Sequence, residues 1–202
     1  MNKEQLFWDW FKANEAQFFF LNQINDTNEK ERILEEFLHH LHKYCDQLFF
    51  KIGGHPNDKQ DLIITAEGNS ALFDKVETLV NQAPLLEYWN LIALKPAIGN
   101  GTIEYNEIKL DPHTIYFIPL SSNASKKIGI RLYIEDYDPA SLKDFLTAAY
   151  LLLDNILGER SNALDIGHLE IESLNVHTKR EELIELVKLP KYIKWKRAQA
   201  ET

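Results

Sequence analysis

Cysteine is almost absent. Cys45 stands alone, so no intrachain disulfide can form. It falls among apolar helix positions with no marked partner, which reads as a small buried hydrophobe rather than a nucleophile. Long apolar runs are missing too, and nothing approaches the stretch needed to span a bilayer. The opening residues, MNKEQLFWDWF, lack a basic region leading into an apolar run and a small-residue cleavage site. No signal peptide is therefore expected, no membrane association is expected, and a cytoplasmic location is the default. An excess of positive charge is also lacking. The 202 residues carry 22 Lys and Arg against 31 Asp and Glu, a net charge of −9, which disfavours nonspecific phosphate binding. The common phosphate-loop, dinucleotide, hydrolase-elbow and zinc-protease motifs do not occur.

What is present describes a globular chain. Apolar residues make up 45% and charged residues 26%, and eight Gly with seven Pro argue against low complexity. A single domain of this length buries roughly 70% of its unfolded surface.

Helical spacing dominates the start. Phe7, Trp10, Phe11, Phe18 and Leu21 share a face over residues 3–23, and Trp8, Phe19 and Phe20 widen it. Such a face is either core or a contact surface, and Trp8 and Trp10 are the candidate protein-contact residues. Asp26 followed by Glu29 predicts the start of a second helix. Ile33, Phe37, Leu41 and Leu48 continue its period, so residues 1–46 read as a helical hairpin. A strand over 48–52, a loop at 53–58 and a strand over 61–66 follow. Gly68-Asn69-Ser70 then caps a helix over 70–83, which Pro84 stops. The strand 87–94 is apolar on both faces and reads as interior to a sheet.

Residues 103–110 predict a short hairpin around Asn106-Glu107. A strand over 114–120, a polar loop at 121–127 and a cleanly alternating strand over 128–134 come next. Asp138-Pro139 opens a helix that Gly158 closes. A strand over 164–172 carries a phase shift near Gly167 that suggests a bulge. Thr178 and Glu181 predict a last helix ending before Leu189-Pro190, with a basic tail behind it.

Residues 47–94 and 114–172 therefore share one order of elements, strand, strand, helix, strand. The expected fold is α+β, a mostly antiparallel sheet from a duplicated β-β-α-β unit with the N-terminal helical hairpin beside it. The chain reads as a single domain: hairpin 1–46, first unit 47–110 with its own hairpin, second unit 111–175, and C-terminal helix and tail 176–202. Helices 70–83 and 139–157 are expected on one face of that sheet.

Chemistry is sparse. His39 and His42 are three residues apart on a helix, but no second ligand pair stands at a recognisable spacing, so neither metal nor cofactor is expected. His55 lies in the Gly-Gly-His-Pro loop, and His113, His168 and His177 have no marked partner. Gly99-Asn100-Gly101-Thr102 lacks the following helix that a phosphate loop requires. If the repeat forms one sheet, Glu67 and Glu135 sit at equivalent strand ends and approach each other. With Arg131 and Tyr133 they form the candidate ligand site, two carboxylates able to divide acid and base roles. The plainer reading is a solvated polar face with Arg131 and Glu135 paired along the strand. Residues 179–197 hold seven Lys and Arg against three Glu, and Tyr192 and Trp195 interleave with the basic side chains. In an otherwise acidic chain this reads as a solvated tail, and no nucleic-acid partner is expected.

The strings WDWF, LIITAEGN, APLLEYWNLIALKP and LLLDNILGE together resemble a family of small uncharacterised bacterial proteins, a domain of unknown function. The resemblance implies a bacterial, cytoplasmic protein and supplies no activity or site residues. Two expectations follow. The first is a non-enzymatic protein-interaction or regulatory module that engages a protein partner or a second copy. The alternative is a small-molecule-binding protein or enzyme using a carboxylate pocket near Glu67 and Glu135.

Overall fold

The computed structural model describes residues 2–54, 58–120, 127–175 and 178–200. The predicted loops around His55 and over 121–126, with His177, lie outside the described residues. The chain divides into two compact units, 1–95 and 96–202. The hairpin 103–110 thus belongs with the second half of the chain.

In the first unit, α1 (Lys3–Phe19) starts at Asn2, whose side chain accepts from the Gln5 amide. A short 3₁₀ turn leads to α2 (Thr27–Tyr44), where Asp26 caps by accepting from the Asn28 amide. Glu29, expected to complete a capping box, instead binds Arg32 at 2.8 Å. The two helices meet through rings. Phe37 lies edge-on to Phe7, Phe11 and Phe18, with centroids 5.6, 5.8 and 5.2 Å away. These four rings are buried, and edge-to-face contacts add to the area they remove from water. Cys45 is buried, as its apolar neighbours indicated.

Three strands follow: β1 (Phe49–Gly53), β2 (Gln60–Thr65) and β3 (Trp89–Ala93). β2 is central, antiparallel to β1 and parallel to β3. Between β2 and β3, Asn69 caps a 3₁₀ turn that runs into α3 (Phe73–Asn81). Phe50 packs on Phe37 at 3.9 Å, and Trp89 meets Phe11 at 5.2 Å, so the helical hairpin covers this side of the sheet. The expectation that residues 87–94 form an interior strand is corrected, because β3 is an edge among the described strands. Apolar residues on both sides of a strand report what covers its two faces, not whether it has lateral neighbours.

The second unit opens with the hairpin β4 (Ile103–Tyr105) and β5 (Ile108–Leu110), its turn made by Asn106 at φ 52°. A four-stranded sheet follows in the order β8-β7-β6-β9, from β6 (Tyr116–Leu120), β7 (Ile128–Ile134), β8 (Ile166–Ser173) and β9 (Ile184–Glu185). β7 is antiparallel to β6 and parallel to β8. Its inward residues Ile130, Leu132 and Ile134 share a core with Phe145, Ala149, Leu152 and Leu153 of α4 (Leu142–Leu157). Pro119 sits inside β6 without harm. Ile115 accepts from Leu186, so odd-numbered residues of β6 aim at β9, and β9 ends before it reaches Pro119.

The β-β-α-β order thus occurs twice, with the same pairing each time: an antiparallel partner and a parallel partner flank one central strand. It builds two sheets, not one. The expectation that helices 70–83 and 139–157 share a sheet face is corrected, since α3 crosses from β2 to β3 and α4 from β7 towards β8. The class is α+β. The ladders within each sheet are mixed.

Two further elements differ from the sequence reading. Gly158, at φ 77° and ψ 155°, closes α4 and at once opens α5 (Glu159–Asp165), where the sequence pattern predicts a loop and the start of the strand. That backbone region is essentially restricted to glycine. The bulge near Gly167 is present, where the register slips between Ile128 and Gly129. At the C-terminus, the expected helix from Thr178 is replaced by a turn, β9 and a second turn. Leu189-Pro190, read as a stop, begins α6 (Leu189–Ala200). Proline in a first turn lacks only an N–H that had no intrahelical acceptor.

Candidate functional site

An open cleft of about 680 Å³ lies in the second unit, beside the point where β7 gives way to α4. The β4–β5 hairpin forms one wall. The end of β7 and the start of α4 form the other. Its floor is apolar, from Ile108, Leu110, Ile115, Ile134 and Phe145. Above the floor stand Glu107, Asp111, Glu135, Asp136 and Asp144, against one basic side chain, Lys109. Lys109 is drawn to Glu104 at 3.1 Å.

Local chemistry explains the placement. Asn106 in the left-handed region reverses the hairpin and leaves Glu107 at its tip. Asp111 accepts from the His113 amide at 2.9 Å and folds the chain into β6. Asp138 accepts from the Ala140 amide at 2.9 Å and caps the turn ahead of α4. Asp144 falls in the first turn of α4, where the helix dipole favours a carboxylate. Glu135 accepts from Arg180 at 3.1 Å, and that guanidinium lies 6.0 Å over the Tyr116 ring.

The residues predicted as one site are distributed over three places. Glu135 lines the cleft. Arg131 and Tyr133 do not; they belong to the sheet face opposite the core. There Arg131 binds Glu170 at 2.7 Å, and His168 binds the other oxygen of Glu170 at 3.0 Å. Arg131 first, then His168, holds the Glu170 carboxyl below its usual range, and Glu170 with Tyr133 raises Arg131. The expected pairing of Arg131 with Glu135 is therefore replaced by two cross-element pairs. Register decides this: Arg131 lies directly beside Glu170 on β8. Glu67 lies in the other unit, at φ 49° in the turn that leaves β2, and binds Lys95 at 2.9 Å. It belongs to a different sheet from Glu135, so the proposed approach of two strand ends within one sheet does not occur.

Of the contact candidates, Trp8 is core. It is 1% exposed, and its indole N–H donates to the Leu79 carbonyl at 2.8 Å. Trp10 is half-buried and stacks on His40 with centroids 4.0 Å apart and ring planes almost parallel. The exposed apolar residues are others, among them Phe20, Tyr88 and Leu85, the last 94% exposed. The sequence signal for Leu85 was its position straight after the helix-stopping Pro84. His42, half of the considered metal pair, binds the Leu48 carbonyl at 3.1 Å. No three His, Cys, Asp or Glu converge as metal ligands would among the described residues. Nor is any described helix long and apolar enough to cross a membrane.

Comparison with protein-family models, curated proteins and solved structures finds no match to this chain.

Proposed function

We propose that the chain is a non-enzymatic protein-interaction module, cytoplasmic and bacterial, whose cleft beside β7 and α4 receives a basic, partly apolar segment of a partner protein. The supporting observation is the cleft itself: five carboxylates, of which Glu135 is already paired with Arg180, stand around an apolar floor. Spread charge of one sign suits a chain carrying several Lys or Arg, and it speeds encounter with such a chain. The apolar floor suits the aliphatic stems and neighbours of those residues. A lone cysteine and the family-like strings quoted above agree with the location and source.

The test is calorimetric titration of the whole protein with a blocked amphipathic peptide, acetyl-Leu-Lys-Lys-Leu-Arg-Lys-amide. Binding is expected at low ionic strength and falls steeply as salt is added. The double variant Glu107→Gln, Asp136→Asn is expected to weaken it by about tenfold, from two exposed charge contacts. Binding that ignores both salt and the variant would overturn the reading.

A small cationic ligand is the second reading, supported by the cleft volume, which lies within the range of small-molecule sites. An amine recovered by native mass spectrometry from freshly purified protein, and lost in the same double variant, would favour it over the peptide.

A further inference from the structure

A second surface, in the first unit and independent of the acidic cleft, has a more specific geometry. β1 is an edge strand, and no described strand pairs with its outer side. The hydrogen-bond pattern of β2 fixes which backbone groups lie there. Gln60 donates to the Tyr88 carbonyl and Ile64 accepts from Leu94, so even-numbered residues of β2 aim at β3. Asp61, Ile63 and Thr65 therefore aim at β1, where their antiparallel partners are Gly53, Lys51 and Phe49. Phe50 and Ile52 are left with N–H and C=O directed outward, as alternate residues of an edge must be.

The side chains of those same two residues border an apolar groove of about 470 Å³, completed by Leu21, Leu34, Leu38 and Glu35. The groove and the free backbone groups are thus in register with each other. Lys51, between them, projects to the opposite face of the strand and is exposed.

We infer that β1 docks an extended segment of a partner protein by strand addition, with the local pattern apolar-acidic-apolar. Each feature sets one part of that pattern. Two outward backbone pairs, from Phe50 and Ile52, require an extended chain. In an antiparallel pair, the residues opposite Phe50 and Ile52 point into the groove and must be apolar, and Glu35 at its rim disfavours a carboxylate there. The residue between them lies opposite Lys51, where an acidic side chain gives a favourable cross-strand pair and a basic one an unfavourable pair. A second copy of this chain does not fit. The register that uses Phe50 and Ile52 on both copies sets Lys51 directly against Lys51.

The test uses the whole protein and three blocked, fluorescently labelled peptides. The first has the core Ser-Val-Glu-Val-Thr, the second has Lys for Glu, and the third has both valine nitrogens methylated. Fluorescence anisotropy is expected to give binding of the Glu peptide about threefold to tenfold tighter than the Lys peptide, in line with single cross-strand charge pairs. N-methylation is expected to abolish binding, which an apolar groove acting alone would not require. Lys51→Glu is an exposed change that leaves the core untouched, and it is expected to reverse the preference between the first two peptides. Absence of binding at millimolar peptide, equal affinity for Glu and Lys peptides, or an unaffected N-methylated peptide would each overturn the inference. A dimer seen by sedimentation at micromolar protein and dissociated by Lys51→Glu would overturn the choice of occupant.

Discussion

His40 shows how one side chain ties stability to pH. Its ring lies flat against Trp10 of α1, with Lys3 on the same helix and Lys43, His39 and Glu36 on its own. Burial lowers its affinity for a proton below the ordinary value of 6.5; Lys43 and His39 add to this, and Glu36 opposes it. The folded state therefore binds this proton less readily than the unfolded chain. Well above pH 6.5 both states are neutral at this position, and as the pH falls through that value the unfolded state gains protons first, so acidification destabilises the fold. The urea midpoint is expected to fall between pH 7.5 and pH 5.5, and to fall less in His40→Gln. An unchanged pH slope in that variant would show that other groups set it. At this same scale the candidate residues were only half legible. Composition and spacing marked Trp8, Arg131 and Glu135 as notable. What each one touches depends on register and on cross-element neighbours such as Glu170 and Arg180, which no local pattern encodes.

Elements were read best where periodicity and a capping residue agreed. The hairpin of α1 and α2, the turn at Asn106, the Asn69-capped turn that leads into α3 and the bulge at Gly167 all follow from local chemistry. Two of the differences lie where one residue serves two signals. Gly158 ends one helix and begins another, and Pro190 opens α6 while resembling a stop. That second case gives a quantitative prediction. Leu189 is fully buried and belongs to the core of the second unit, whereas Pro190 occupies a first turn that needs no N–H. Leu189→Ala is expected to destabilise the protein by about 2–5 kcal/mol. Pro190→Ala is expected to change it by about 1 kcal/mol or less, since a first-turn proline contributes chiefly through unfolded-chain entropy. Urea denaturation followed by tryptophan fluorescence measures both. Were α6 an undocked tail, the two substitutions would have equally small effects.

For the molecule as a whole, the repeated order of elements was visible in the sequence, but its division into two sheets was not. Equal patterns in the two halves are compatible with one continuous sheet or with two, because strand periodicity carries no information about which strands become neighbours. The second unit contains a complete apolar cluster, from Ile103 on β4 to Ile193 on α6, drawn entirely from its own residues. A fragment of residues 96–202 is therefore expected to fold alone, with helical circular dichroism and a cooperative urea transition. A fragment with a random-coil spectrum would show that this cluster is insufficient without residues 1–95.

The central strands β2 and β7 also impose an order of events on the chain. Each has one neighbour across a reversal and one across a helical crossover. For β2 the first connection is residues 54–59 and the second is 66–88, nearly four times longer. Closing the longer loop carries about 1 kcal/mol more chain entropy, and for β7 the crossover 135–165 is longer still. The antiparallel side of each sheet is thus expected to form first, with β3 and β8 joining after α3 and α4 have shortened the distance they must span. On that order, β2 and β7 would each have one side open to solvent until β3 and β8 join, and a neighbouring unfolded chain would compete there with the strand that belongs.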